Sequence, residues 1–295
     1  MKTKLPNFLI VGAAKSGTSS LHNYLNQHPE VFMCSPKEPH FLIKNLVKNR
    51  LHNGVWSWEE YKSLFANVKN EKAIGESSVL YLYYHKEAIK NIKQRLGEKV
   101  KIVIMLRNPV DRAFSAYTHV ARSVKENLTF EKALEIEEER LLNDKTLTPM
   151  VMYKEMGLYY DMLKAYQHNF KHVFVIMHED FQNNTAEVVE QTLVFLGIFS
   201  SAEIDTKSRH NVGGKRWKKT LLKQFFMKDN FLKKVLRVIF SKNARKKFRL
   251  FIESFLKEKS KPINPETKKE LLSYFKNDIE RLSFLLKRDL KNWTL

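Results

Sequence analysis

A glycine-containing segment near the N-terminus combines a cation with hydroxyl groups in the order Gly12-Ala-Ala-Lys15-Ser-Gly17-Thr18. A short β-prone apolar run at residues 8–11 precedes it, and residues 18–26 have the spacing of an amphipathic helix. A strand that leads through such a turn into a helix points unsatisfied N–H groups at one place, where the helix dipole favours negative charge. The segment therefore predicts an anion site to which Lys15 adds a full positive charge. A plain tight connection between strand and helix is the alternative.

This turn differs from the P-loop of nucleoside triphosphatases, which has four residues between its glycines and a lysine directly after the second glycine. Here Lys15 precedes Gly17. An ATPase or GTPase also places an aspartate at the end of a second strand to hold magnesium. The second strand of this chain, residues 101–106, is followed instead by Arg107, whose planar fork suits a phosphate dianion. The two cations predict a phosphorylated ligand that is bound without a divalent metal.

Both segments resemble nucleotide-binding motifs of the sulfotransferases that use 3′-phosphoadenosine 5′-phosphosulfate (PAPS). Residues 12–21 are similar to the 5′-phosphosulfate loop of this family, and residues 106–117 resemble its 3′-phosphate-binding strand and helix. The resemblance is to soluble bacterial members of the heparan sulfate sulfotransferase-like branch. Other segments that carry it are residues 35–41, 75–78, 210–215 and the closing segment 262–293.

The resemblance implies a PAPS-dependent sulfotransferase, with PAPS as donor and 3′-phosphoadenosine 5′-phosphate (PAP) as product. It implies that Lys15 meets the charge on the leaving group, and that Arg107 and Ser115 bind the 3′-phosphate. An ion pair of Arg107 with Asp111, and an ordinary helix serine, are the structural alternatives. The residues implied for donor binding are Lys15, Ser16, Gly17, Thr18, Ser19, Ser20, Arg107, Ser115, Gly213, Gly214 and Lys215.

On the acceptor side, a hydroxyl must give up a proton as it attacks, so a base is expected near the sulfur. Glu38 matches the position of that base in the resemblance and stands between two prolines; His40 is a rival base or an orienting partner. Glu76 and Ser77 correspond to a substrate-side strand end, although a helix-capping or salt-bridge role for Glu76 is equally open. The implied acceptor is a hydroxyl or amine of a carbohydrate, a glycolipid or a small molecule.

Strands that alternate with helices must position these residues. Apolar runs at residues 8–11, 101–106 and 173–177, with a weaker run at 73–76, predict an α/β fold with a mostly parallel central sheet. The P-loop-like phosphate turn follows the first strand, and flanking helices are expected between strands. We expect one domain over residues 1–295, with the nucleotide-binding core at 1–212, a closing loop and basic helices at 213–261, and C-terminal helices at 262–295.

The predicted helices have recognisable ends. Gly197 is suited to close a helix at residues 185–196, and Asn264 with Pro265 is suited to open the last helical region at 266–286. Helical spacing also covers residues 157–170. Residues 110–148 contain no glycine or proline, which predicts long helices there, and residues 217–259 have the spacing of cationic amphipathic helices that form a helical basic C-terminal lid.

Charge and composition restrict the class of protein. The 295 residues contain 52 Lys and Arg against 32 Asp and Glu, a net charge of +20. Residues 205–260 alone hold 18 Lys or Arg against 4 Asp or Glu. This excess predicts attraction of an anionic acceptor or peripheral contact of residues 217–259 with an anionic membrane. A hydrophobic fraction of 43% excludes a disordered chain, and Cys34 is the single cysteine, so no internal disulfide forms.

Two other function classes remain open at this point: a P-loop nucleoside or sugar kinase, and a basic nucleic-acid-binding module with a degenerate nucleotide site. No recognition-helix or aromatic RNA-binding motif accompanies the charge, so we expect no specific nucleic-acid partner. His119, Cys34 and the methionines lack metal-ligand spacing, so no metal site is predicted. The N-terminal apolar run is too short for a signal peptide and no stretch predicts a membrane span, which favours a cytoplasmic location.

Overall fold

The computed structural model describes residues 4–122, 126–207, 215–217, 257–259 and 262–295, with side chains in all but the two three-residue segments. Its centre is a sheet of five parallel strands in the order β2-β3-β1-β4-β5. The strands are β1 (Phe8–Gly12), β2 (Val31–Met33), β3 (Ala73–Ser77), β4 (Lys101–Leu106) and β5 (Val173–Met177). The predicted α/β fold with a mostly parallel sheet is confirmed.

Twelve α-helices are described around this sheet, in the parts of the chain given above. They are α1 (Thr18–Leu25), α2 (Lys44–Val47), α3 (Trp58–Ser63), α4 (Leu80–Tyr83), α5 (His85–Arg95), α6 (Pro109–Val120), α7 (Phe130–Glu135), α8 (Glu137–Asn143), α9 (Tyr159–Asn169), α10 (His178–Asn183), α11 (Thr185–Leu196) and α12 (Pro265–Leu286). Short 3₁₀ turns lie at Phe41–Ile43, Pro149–Val151, Glu155–Gly157 and Lys291–Trp293.

Apolar side chains cover both faces of the sheet, as an all-parallel sheet requires. On one face, α1 and α11 pack through residues such as Leu21 and Val189. On the other face, α4, α5, α6, α9 and α12 form the larger cluster, in which Tyr166 and Phe275 are fully buried. Every residue of β1 is buried, because β1 is the central strand of the sheet and helices cover both of its faces.

The register of the strands brings their carboxyl ends to one edge. Phe8 of β1 pairs with Gly75 of β3 on one side and with Lys101 of β4 on the other. β1 therefore lies between two parallel strands, with β3 and β2 on one side and β4 and β5 on the other. Ligands of open α/β sheets bind in the crevice at a point where the strand order changes side in this way. The turn after β1, the end of β3 and Arg107 after β4 all meet there.

Local capping determines where the principal helices begin and end. The Asn108 side chain accepts hydrogen bonds from the main-chain N–H groups of Val110 and Asp111, and Pro109 occupies the first turn of α6. Gly197 closes α11 with a φ of 88°, and the Asn264 side chain caps α12 at the N–H of Glu266. The two predicted boundaries, at Gly197 and at Asn264, are confirmed.

The prediction of long helices at residues 110–148 is wrong. The first helix, α6, ends at Val120, and α7 and α8 have only six and seven residues. Thr129 starts α7 by accepting a hydrogen bond from the N–H of Lys132, and Ile136 leaves helical geometry between α7 and α8. The lack of glycine and proline permits a long helix, but it does not prevent a capping residue from starting a new one.

The helical prediction for residues 217–259 is wrong at both ends. Strands β6 (Lys215–Trp217) and β7 (Lys257–Lys259) form an antiparallel pair in which Lys215 is opposite Lys259 and Arg216 is opposite Glu258. Helical periodicity is a local signal and cannot indicate such a distant pairing. Residues 218–256, where the rest of the basic lid is predicted, lie outside the described residues. Among the helices described, none is long and apolar enough to cross a membrane.

Candidate active site

A cavity of about 640 Å³ lies where the carboxyl ends of β1, β3 and β4 meet. It brings together five residues that the sequence singled out from separate segments. These are Lys15, Glu38, His40, Arg107 and Ser115. Gly17, Thr18, Ser19 and Ser20 also line the cavity, and Ser16 lies fully buried beside them.

The turn that carries Lys15 is held in place by β4 and by the start of α1. The N–H of Ala13 donates to the carbonyl oxygen of Met105 at 2.6 Å. Gly17 adopts a φ of 101°, and a Cβ there would come within 3.2 Å of the Phe181 ring, so both conformation and space call for glycine. The first intrahelical bond runs from the N–H of Ser20 to Gly17, which leaves the earlier N–H groups of α1 at the anion-binding end.

Lys15 is a cation in an electropositive cavity. Its φ of 74° places it in the left-handed region. The pKa of Lys15 is lowered to about 8, mainly by desolvation and then by the nearby charges of Arg122, Arg107 and Lys37, while Glu38 acts in the opposite direction. The ammonium group is therefore mostly protonated at neutral pH and gains stability when an anion enters.

Arg107 joins β4 to the turn after β1. The Nη1 of Arg107 donates to the carbonyl oxygen of Lys15 at 3.2 Å, and the carbonyl oxygen of Arg107 accepts a hydrogen bond from the Tyr159 hydroxyl at 3.0 Å. The alternative ion pair with Asp111 does not occur among the described residues. Within the described chain, the buried Nε of Arg107 has no hydrogen-bond partner, and neither has Ser16 Oγ. Unpaired buried donors are costly, and a phosphate oxygen satisfies them, so these residues fit a phosphorylated nucleotide.

Glu38 and His40 form a short charged network beside the end of β3. Both have positive φ values, 67° and 55°. Glu38 Oε1 lies 2.5 Å from Lys37 Nζ, and its Oε2 lies 3.4 Å from His40 Nε2 and accepts from the Val79 N–H at 3.3 Å. The N–H of Glu38 donates to the carbonyl oxygen of Ser77. The carboxylate is thus positioned by the strand end, and its side chain remains 29% exposed.

The protonation states of this pair suit proton acceptance. Burial acts to raise the pKa of Glu38, but Lys37 and His40 outweigh it, and the pKa lies below its usual value. Burial lowers the pKa of His40 despite the nearby carboxylate. At neutral pH we therefore expect an ionised Glu38 beside a neutral His40. The Nδ1 of His40 has no partner among the described residues.

Glu76 and Ser77 lie behind the cavity wall. Glu76 is 0% exposed, its Oε1 accepts from the Ser78 hydroxyl at 2.7 Å, and its Oε2 accepts from the Tyr61 hydroxyl at 2.6 Å. Ser77 Oγ is buried 2.9 Å from His22 Nδ1. The structure does not bring these two side chains to the cavity. It links Glu76 to the site through Ser78, whose Oγ accepts from the main-chain N–H of His40 at 3.2 Å.

Several cavity residues were not among the sequence candidates. On α6 and just beyond it, Asp111, His119 and Arg122 line the cavity together with the predicted Ser115, and the four positions are spaced by four, four and three residues. This spacing was a readable signal, because it places all four on one helix face. His178 follows β5 directly, and its Nδ1 lies 3.0 Å from the carbonyl oxygen of Ser16.

Two predictions about the site are not settled by the geometry. Gly213 and Gly214 of the closing loop lie outside the described residues, and Lys215 is described only as the first residue of β6. In the parts of the chain that the structure describes, no group of three or more His, Cys, Asp or Glu side chains could hold a metal ion. The metal-free site stays a prediction.

Comparison with known proteins gives a consistent result. Residues 5–222 match the family model of the sulfotransferase domain. The crystal structure of a sulfotransferase from Alicyclobacillus acidocaldarius is similar to this chain with a TM-score of 0.74 and 31% identity, over 99% of this chain and 100% of that one.

Curated relatives are similar over shorter stretches. The membrane-associated sulfotransferase kil1 of Dictyostelium discoideum is 29% identical over 42% of this chain and 25% of its own length. The human bifunctional heparan sulfate N-deacetylase/N-sulfotransferase 2 is 26% identical over 66% of this chain and 22% of its own length. The chain thus spans about a quarter or less of these relatives. With the family model matching most of the chain, the protein belongs to the sulfotransferase family, whose members use PAPS.

Proposed function

We propose that this protein transfers a sulfuryl group from PAPS to a hydroxyl or amine of a carbohydrate or glycolipid. One observation carries the proposal: Lys15, Arg107 and Glu38 line a single cavity at the carboxyl ends of neighbouring strands. The reaction needs cations for the anionic groups at the 3′ and 5′ ends of the nucleotide. It also needs a base, such as a carboxylate, for the acceptor proton.

Arg107 and Ser115 act on the 3′-phosphate in this proposal. The Arg107 guanidinium donates to the Lys15 carbonyl oxygen, and its buried Nε, which has no partner among the described residues, can donate to a phosphate oxygen. Ser115 lines the same cavity two helical turns into α6. The helix N-terminus at Gly17 to Ser20 supplies N–H groups and hydroxyls to the 5′ end of the nucleotide.

Lys15 acts on the leaving group. When bound, PAPS supplies an activated sulfuryl group on a phosphate oxygen. As the bond from sulfur to that oxygen breaks, negative charge gathers on the oxygen, and a positioned ammonium group stabilises it. The low-dielectric surroundings that lower the pKa of Lys15 to about 8 also strengthen its attraction for this charge.

Glu38 acts as the general base for a hydroxyl acceptor. It is expected to be ionised at neutral pH, and it faces the same cavity as Lys15. The acceptor oxygen bonds to sulfur while its proton passes to Glu38. His40, neutral beside Glu38 Oε2, orients the carboxylate; the reverse assignment, with His40 as base, is tested by replacing each residue alone.

The acceptor class is supported by the names of similar proteins. One is a heparan sulfate N-sulfotransferase and another is the mouse carbohydrate sulfotransferase 15, which is 26% identical over 66% of this chain. The strong positive charge is compatible with an anionic polymer or with a glycolipid at an anionic membrane. Vesicle binding that weakens with salt would support the membrane contact of residues 217–259, and no binding to anionic vesicles would contradict it.

The decisive experiment is transfer of labelled sulfate from PAPS to candidate acceptors, with and without a chelator. We expect transfer that does not depend on magnesium. A kinase would instead need ATP and magnesium, and a nucleic-acid-binding module would turn over neither donor. A calorimetric titration with PAP that registers no binding would also contradict the proposal.

A further inference from the structure

Arg122 lies at the end of the helix face that carries Ser115. It follows the last turn of α6 by two residues, is half-buried, and lines the same cavity as Lys15 and Glu38. Seven residues separate it from Ser115, which corresponds to about 10 Å of helix rise on nearly the same face. A phosphate at Ser115 and an anion at Arg122 would therefore occupy different parts of the cavity.

The guanidinium of Arg122 forms no ion pair or hydrogen bond with another described side chain, although its main-chain N–H bonds to the carbonyl oxygen of His119. By contrast, Arg107 is held by the Lys15 carbonyl, and Arg140 is paired with Glu126. This half-buried cation has no carboxylate partner in the described parts of the chain, lines the cavity that we propose to bind the nucleotide, and is available to a ligand.

The charges around His119 show which groups are neighbours at this end of the cavity. After desolvation, Lys15 and Arg122 lower the pKa of His119 to about 4, while Glu38 acts in the opposite direction. Among charged groups, Arg122 also affects Lys15 more strongly than Arg107 does. Arg122 and His119 line the same cavity as Lys15 and Glu38, between which sulfur must pass in the proposed reaction.

We propose, on the basis of the proposed function, that Arg122 binds the sulfonate oxygens of PAPS. The planar fork of an arginine matches a three-oxygen anion better than a point charge does. In the transfer, the acceptor oxygen bonds to sulfur, the bond from sulfur to the bridging oxygen breaks, and its electron pair stays on the phosphate of PAP. Lys15 holds that bridging oxygen, Arg122 holds the oxygens that leave with sulfur, and Glu38 takes the acceptor proton.

The test compares binding of PAP, which lacks the sulfonate, with binding of PAPS, which carries it. Dissociation constants are measured by calorimetry without acceptor for the wild-type protein and for Arg122→Met. The variant should bind PAP as the wild type does and lose at least about tenfold in affinity for PAPS. Arg122→Lys should recover part of that loss. Lys90→Met, which removes an exposed positive charge outside the cavity, should change neither constant.

The outcomes separate this inference from the proposed function. If the wild type binds PAP and PAPS but the ratio of their affinities is the same in Arg122→Met, the sulfonate contact is refuted and the proposed function stands. Equal losses for both ligands would also refute it, since Arg122 would then bind the nucleotide itself. If the wild type binds neither ligand, the proposed function fails and the inference fails with it. Thermal melting identifies a misfolded variant, in which case Arg122→Gln replaces it.

Discussion

Arg107 donates a hydrogen bond through Nη1 to the carbonyl oxygen of Lys15, 3.2 Å away. The residue that follows β4 thereby fixes the turn that follows β1. One guanidinium thus has two tasks in our proposal: it supports the turn through one nitrogen and retains other N–H groups, including the unpartnered Nε, for a phosphate. The two strand ends form one site because of this contact.

This geometry makes ligand preference the best measure of Arg107. We expect Arg107→Ala to lose at least about tenfold of the preference for PAP over adenosine 5′-monophosphate, because hydrogen bonds to charged groups contribute about 1.5–3 kcal/mol. Isothermal titration with both nucleotides measures the ratio. An unchanged ratio would mean that Arg107 supports the turn without reading the 3′-phosphate.

The lowered pKa of Lys15 predicts a pH dependence of nucleotide binding. An anion favours the ammonium form, so binding raises this pKa above its free value of about 8. PAP affinity should be full below about pH 8 and should fall as pH rises above it, and near pH 8 binding should take up about half a proton. Titrations in buffers of different ionisation enthalpy measure this uptake. Lys15→Met is the control and should show no such uptake; an uptake that persists there would assign it to another group.

Glu38 should affect catalysis without affecting the donor. Glu38→Gln keeps the shape of the side chain but cannot accept a proton, so sulfate transfer should fall at least about a hundredfold while PAP affinity is retained. Initial rates with a hydroxyl acceptor provide the measurement. His40→Asn is the matched comparison, and if it alone abolishes transfer, His40 is the base and Glu38 orients it.

A prediction about stability concerns Glu137, the first residue of α8, which is 2% exposed and accepts hydrogen bonds from the Lys154 N–H. Burial raises its pKa from 4.5 to about 7, so the folded protein binds this proton more tightly than the unfolded chain does. The resulting penalty is absent below about pH 4.5 and develops as pH rises to about 7. The unfolding free energy of Glu137→Gln, measured relative to that of the wild type, should therefore be about 3 kcal/mol higher at pH 8 than at pH 4.

Urea denaturation of the variant and the wild type at both pH values measures this change. Only the difference between the two proteins matters, because other carboxylates titrate in the same range. Glu131→Gln on α7, an exposed position, should show no comparable pH-dependent change. A variant at Glu137 whose stability relative to wild type is the same at both pH values would contradict the prediction.

The strands that flank the site were predictable because their apolar runs are continuous and each ends in polar residues. β4 and β5 have the bounds that the sequence predicts, Lys101–Leu106 and Val173–Met177. β2 was not predicted, since the three residues Val31–Met33 are too short to show a pattern. The pairing of β6 with β7 joins residues about 40 positions apart, and no local signal indicates it.

The site was predictable where its chemistry is local to one turn. Lys15 and Arg107 lie close together because each follows a strand of a parallel sheet, and the carboxyl ends of such strands meet at one edge. The burial of Glu76 could not be predicted, because it depends on Tyr61 of α3, which stacks on Phe41 and donates to the Glu76 carboxylate. Arg122 had a visible spacing to Ser115, but the same spacing occurs on any solvated helix face.

The position of β1 between β3 and β4 has a consequence for engineering. Lys15 and Arg107 come from the β1 and β4 side, whereas Glu38 is fastened to Ser77 on the β3 side. A chimera that exchanges the segment from β2 through residue 51 for that of a relative would alter one half of the cleft and leave the other half native. On the roles that we propose for these residues, we expect such an exchange to change acceptor choice and to leave nucleotide binding unaltered.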